Sequence, residues 1–178
     1  MSRLHTIKPD QATGRAAELF TAIKSSIGMV PNAYATIGSN SPAALEAFLG
    51  LDQALRRGSL SAKQIEVVQL GVSASAEWEY CLAAHSLMGK RAGLGIEAIK
   101  AIRSGSPSGD AAVDALAGFA RKVAGSAGTV PAAVLEEVRA AGYSDAQVVD
   151  TLLTVAAITF TNLLNRVNDT VVDFPAVN

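Results

Sequence analysis

The sequence predicts an all-α fold, and three observations carry the prediction. Apolar residues recur at the three-and-four spacing of a helix face along most of the chain. Two Ser-x-x-Gln capping boxes, Ser61 with Gln64 and Ser144 with Gln147, each precede a long apolar run. No stretch of strand length alternates apolar and polar residues, and the one β-branched pair, Val171 and Val172, runs at once into Asp173, Phe174 and Pro175.

The elements follow in order. Residues 15–27 carry a stripe of Ala16, Leu19, Phe20 and Ile23 that ends at Gly28, a helix with a glycine stop. Met29, Val30, Pro31 and Asn32 read as a turn. Pro42 opens a second long helix through Leu45, Phe48, Leu49, Leu51 and Leu55, closed by Arg56, Arg57 and Gly58, since cations and then glycine favour a helix end. The Ser61 box starts a helix through Ile65, Val68 and Val72 to about Ala76, and a third long helix begins between Trp78 and Tyr80 and fades at Gly93 to Gly95. Residues 96–102, 111–124 and 132–141 are helices separated by Gly, Ser and Pro clusters. The Ser144 box opens the apolar helix 148–164. Because the two boxes are followed by similar runs, a weak internal duplication is an open reading beside coincidence; Leu164 and Asn168 would then stand where Cys81 and His85 stand in the first copy.

The chain has 178 residues, 49% of them hydrophobic and 17% charged, enough for one well-filled core and short for two, so a single domain over residues 1–178 is expected. A net charge of -1 with scattered Lys and Arg argues against nucleic acid and against an anionic membrane surface as partners. The start MSRLHTIKPDQ lacks the apolar core of a signal peptide, and residues 152–164 are too short and too rich in Thr and Asn to span a bilayer. A cytoplasmic protein is expected. A mean hydropathy of +0.28 is high for a chain of this size and predicts apolar surface covered in a homo-oligomer.

The single cysteine allows thiol chemistry but no intrachain disulfide. Cys81 and His85 lie four residues apart and share a helix face, so the imidazole can serve as base to a thiol that reacts only as thiolate. Glu66, on the preceding helix, can orient that imidazole or relay its proton. Each residue also has a plainer reading: a lone cysteine is most often a small buried hydrophobe, a lone His a satisfied polar group, and Glu66 a solvated edge. Glu66 is bracketed by Ile65, Val67, Val68 and Leu70, so it is either partly buried with a partner, which suits proton relay, or on a narrow solvated edge. Tyr80 either lines a pocket or packs in the core, and Trp78 either binds an apolar substrate or closes the site. Glu77 and Glu79, if near the thiol, would make it less acidic. Two His and one Cys are too few for a zinc site, and no glycine-rich phosphate loop is present, so neither metal nor cofactor is expected.

Glu66, the run from Trp78 through Glu79, Tyr80 and Cys81 to His85, and the following Gly93 and Gly95 resemble the signature of the alkylhydroperoxidase D-like and carboxymuconolactone decarboxylase superfamily. Its peroxidase branch carries a Glu and then a Cys-x-x-Cys-x-x-x-His segment at a helix start. Cys81 matches the second cysteine, and Trp78 stands at the first. The match covers residues 61–95, and Asn162, Asn165, Thr170, Asp173 and Pro175 are similar to the tail of longer members. The resemblance implies a compact multi-helix domain that assembles as dimers, trimers or hexamers. It also implies a thiol-dependent reductase of small organic hydroperoxides, active in antioxidant defence, with Cys81, His85 and Glu66 catalytic. With Trp78 in place of the resolving cysteine, an external thiol must regenerate the enzyme. Two alternatives from the same superfamily are a decarboxylase-like enzyme using His and Glu for proton transfer and a helical oligomer without turnover.

Overall fold

The computed structural model of the chain describes residues 2–76 and 79–175. Among these residues there are nine α-helices and no strand, so the all-α expectation holds. After a 3-10 turn at Pro9–Gln11 come α1 (Gly14–Ile27), α2 (Asn32–Asn40), α3 (Pro42–Arg56), α4 (Ala62–Ser75) and α5 (Glu79–Arg91). They are followed by α6 (Ile96–Ser104), α7 (Ala111–Gly125), α8 (Ala132–Ala140) and α9 (Asp145–Asn168).

The centre of the fold is α4. Its residues 65–73 are all buried, which requires neighbours on every side, and α5, α6, α7 and α9 supply them. Val67, Val68 and Leu70 have no exposed surface, and each such side chain contributes about 1.5–3 kcal/mol of burial. Beside this core α1, α2 and α3 form a second apolar cluster, in which Leu19, Phe20 and Ile23 of the expected stripe meet Ile37 and Leu45.

One helix escapes the sequence reading. Where a turn was expected at residues 29–32, the chain goes straight into α2, whose Thr, Gly, Ser and Asn content has little intrinsic helical tendency. Burial of Ala33, Ala35 and Ile37 stabilises it, and its first turn is capped from far away: the Asn32 backbone N–H donates to Asp173 Oδ2 at 2.8 Å. That cap comes from a residue 141 positions along the chain, beyond the reach of any local pattern.

The last helix is longer than expected and differs from the first-copy counterpart. The Ser61 box opens a 14-residue helix after which the chain turns into α5, whereas the Ser144 box opens one unbroken helix of 24 residues. By length and composition alone α9 would suffice to cross a membrane, because the helix extends beyond residues 152–164 on both sides. Its polarity is reversed, however. Thr151, Thr154, Thr161, Asn162, Asn165 and Asn168 are buried against the protein, while Val149, Leu152, Leu153, Phe160, Leu163 and Val167 face outward.

Candidate active site

The capping box fixes where α4 begins, with Ser61 Oγ accepting from the Gln64 N–H at 3.2 Å and Gln64 Oε1 accepting from the Ser61 N–H at 2.8 Å. Glu66 follows in the second turn and is only 8% exposed. The next helix lies close against it: a Cβ at Gly89 would stand in ordinary contact with Glu66 Cβ at 3.7 Å, and would crowd Leu94 Cδ1 at 2.9 Å. One turn before Gly89, His85 meets Glu66, Nδ1 to Oε2 at 2.9 Å. A carboxylate can only accept, so with Glu66 ionised Nδ1 is the donor, and the Nε2 of a neutral imidazole in that tautomer presents its lone pair. The pair is largely buried, with side-chain exposures of 18% for His85 and 11% for Glu66.

Cys81 stands one helical turn before His85 and is 2% exposed. Its Sγ accepts from Asn165 Nδ2 of α9 at 3.3 Å, and this, not a bond to His85, is its hydrogen bond among the described residues. Burial pushes the thiol up to about 11, against the opposing effect of the Asn165 hydrogen bond and of the nearby Thr161 hydroxyl. The resting thiol is therefore neutral near pH 7.

Tyr80 is buried in the main core, where its hydroxyl accepts from the Ala33 N–H at 3.2 Å and its ring meets Phe174 edge-on at 5.5 Å. Burial pushes its phenol well above the ordinary range. Those contacts are core packing and capping of α2. Trp78 and Glu77 lie outside the described residues.

Several residues that the sequence did not point to surround the same place. Tyr34 of α2 has its phenol raised, by burial first and then by Asp52, Glu66 and Cys81, with Arg56 opposing. Arg56 pairs with Asp52 at 2.8 Å, and its guanidinium is raised by that bond and further by Glu66. The Tyr34 ring packs edge-on to Phe48, and Phe48 packs on Phe160, both at 5.7 Å between centroids. A wall of three aromatic rings therefore leads from the outer side of α9 to the neighbourhood of Glu66 and Cys81. Only the Asn residues had a signal: amides three apart at 162, 165 and 168 on an otherwise apolar helix call for buried partners. Among the described residues no group of three or more His, Cys, Asp or Glu side chains could hold a metal ion.

The family model of the carboxymuconolactone decarboxylase family matches residues 42–122, the stretch from α3 through α7 that contains Glu66, Cys81 and His85. That stretch of the chain is similar to the carboxymuconolactone decarboxylase family. Solved structures share this fold almost end to end. An alkylhydroperoxidase AhpD core, a peroxidase-related protein from Ralstonia eutropha JMP134, superposes with a TM-score of 0.84 at 20% identity over 97% of this chain and 92% of its own. The debrominase Bmp8, as a cysteine-to-alanine variant in complex with 2,3,4-tribromopyrrole, gives 0.81 at 19% identity over 97% and 92%. A peroxidase-related protein from Silicibacter sp. TM1040 gives 0.69 at 18% identity over 96% and 94%. At these identities the likeness establishes the fold. No curated protein matches the sequence significantly. The solved structures that share this fold thus include a debrominase beside peroxidase-related proteins.

Proposed function

We propose that the protein is a thiol-dependent hydroperoxide reductase in which Cys81 is the only redox thiol and a second, external thiol regenerates it. The observation that carries this reading is the Glu66–His85 pair standing one helical turn from the lone cysteine. In the step, Cys81 gives its proton to His85 Nε2 while the sulfur attacks the distal peroxide oxygen. The O–O bond breaks, and the departing alkoxide takes that proton and leaves as the alcohol, with Cys81 now a sulfenic acid. Glu66 holds the imidazole and stabilises it while it is charged. One external thiol then condenses with the sulfenic acid, releasing water and forming a mixed disulfide, and a second thiol displaces Cys81 and leaves as the external disulfide. A reducing, cytoplasmic setting suits that cycle.

Tyr34, Phe48 and Phe160 support an organic hydroperoxide with an apolar group as substrate, and the tribromopyrrole held by the debrominase supports the same reading, since it is a flat halogenated ring accommodated by this fold. The neutral thiol favours one alternative: an acid–base enzyme of the decarboxylase type, in which Glu66 and His85 transfer protons and Cys81 only packs.

The test is the rate at which reduced Cys81 becomes a dimedone-trapped sulfenic acid with cumene hydroperoxide near pH 7, read by intact mass beside free cysteine. The peroxidase reading expects a rate far above free cysteine that falls in His85→Ala and Glu66→Gln. A rate at or below free cysteine removes it. The acid–base reading then expects turnover that survives Cys81→Ser and fails with His85→Ala.

A further inference from the structure

Six of the ten large hydrophobic residues exposed among the described residues lie on α9, so the uncovered apolar surface is concentrated on one helix. Its seam consists of Val149, Leu153, Ala156, Phe160, Leu163 and Val167, which follow one another at steps of four, three, four, three and four residues. Each consecutive pair of steps spans seven residues, the heptad seam of a helix that packs against another helix, knobs into holes. The order Val, Leu, Ala, Phe, Leu, Val also pairs with its own reverse about position 158. An antiparallel copy therefore sets Val149 against Val167, Leu153 against Leu163, and the small Ala156 against the bulky Phe160.

We propose that the outer face of α9 docks a second copy of this chain, with the two α9 helices antiparallel about a twofold axis beside residue 158. A twofold interface requires a patch complementary to itself, and the seam meets that requirement in both residue order and size. The seam is roughly 27 Å long at 1.5 Å per residue, long enough for a continuous helix pair. Antiparallel docking also sets opposite ends of the two helix dipoles beside each other. The reversed polarity of α9 has the same explanation: its Thr and Asn residues serve the protein's own core and the candidate site, which leaves its Val, Leu and Phe for the partner. The interface also backs the site, because it covers Phe160, the ring that continues through Phe48 to Tyr34. This geometry goes beyond the homo-oligomer expected from hydropathy by naming the helix, its direction and the axis.

The test uses the full chain. Sedimentation velocity and native mass spectrometry at micromolar concentration should give twice the chain mass or a multiple of it, and Leu153→Glu or Leu163→Glu should halve it with the helical circular dichroism unchanged. In a Cys81→Ser background, Val149→Cys combined with Val167→Cys should give a covalent dimer with a short bismaleimide. Neither single variant should do so, because equal positions on the two copies stand a seam length apart. A monomeric wild type overturns the proposal, as does an oligomer indifferent to the Glu variants or cross-linking by the single variants. Binding of the wild type to phosphatidylcholine vesicles that the Glu variants lose would assign the face to a bilayer and overturn it too. Should the Glu variants fail to fold, the cross-linking pattern decides.

Discussion

Raising the pH over the intact protein probes the burial of Cys81 directly. Burial moves the thiol from an ordinary 9.0 up to about 11. At pH 7 a thiol of pKa 9.0 is about one-hundredth thiolate and one of pKa 11 about one ten-thousandth, so folding should slow alkylation about 100-fold. The assay is iodoacetamide modification followed by intact mass between pH 6.5 and 11, with the chain unfolded in urea as reference. The folded rate should climb tenfold per pH unit to about pH 11, where the reference levels off near 9. The sign for stability follows. Between these values the unfolded chain has lost a proton that the folded chain keeps, so stability is full below pH 9.0 and falls by about 3 kcal/mol as pH rises towards 11. Cys81→Ala should remove that part of the decline. An apparent pKa at or below 9, with a folded rate equal to that in urea, would refute the burial argument. The contrast with peroxide is informative, because iodoacetamide needs no proton returned to its leaving group. A thiol slow with iodoacetamide and fast with cumene hydroperoxide is the signature expected if Glu66 and His85 carry the proton.

Asn165→Leu removes the donor to Cys81 Sγ and should slow both alkylation and sulfenic acid formation by roughly tenfold, the effect of one hydrogen bond to a charged group, in the same mass assay. Gly38→Ala should destabilise the fold by about 1–3 kcal/mol in urea unfolding, because the added Cβ would stand 2.5 Å from Phe20 Cε1 and 2.8 Å from Leu45 Cδ2; an unchanged midpoint would show that this cluster yields freely. Ser144→Ala breaks the capping box of α9 and should cost about 1 kcal/mol, while an exposed hydroxyl away from the cap, such as Ser25→Ala, should change little.

Helix existence was legible wherever its cause is local. The stripe of Ala16, Leu19, Phe20 and Ile23 is buried as the spacing predicted, and both capping boxes form with both of their bonds. The apolar neighbours of Glu66 leave it either partly buried with a partner or on a solvated edge, and the structure buries it against His85. Residues whose roles depend on distant partners were not legible. Tyr34 lies on the one helix that went unrecognised, and α2 depends on burial and on Asp173 for its existence. Arg56 had been read only as a helix-ending cation.

By itself, then, the sequence determined the all-α class, the helix starts, and a thiol, an imidazole and a carboxylate at helical spacing, because periodicity and caps act over a few residues. Only the tertiary structure decided that α9 brings Asn165 to the Cys81 sulfur, that burial keeps the thiol neutral, and that α9 turns its Thr and Asn inward and Val149, Leu153, Phe160, Leu163 and Val167 outward. A thiol's acidity and the uncovered face of a helix depend on what else packs there, and that is settled by residues far apart along the chain.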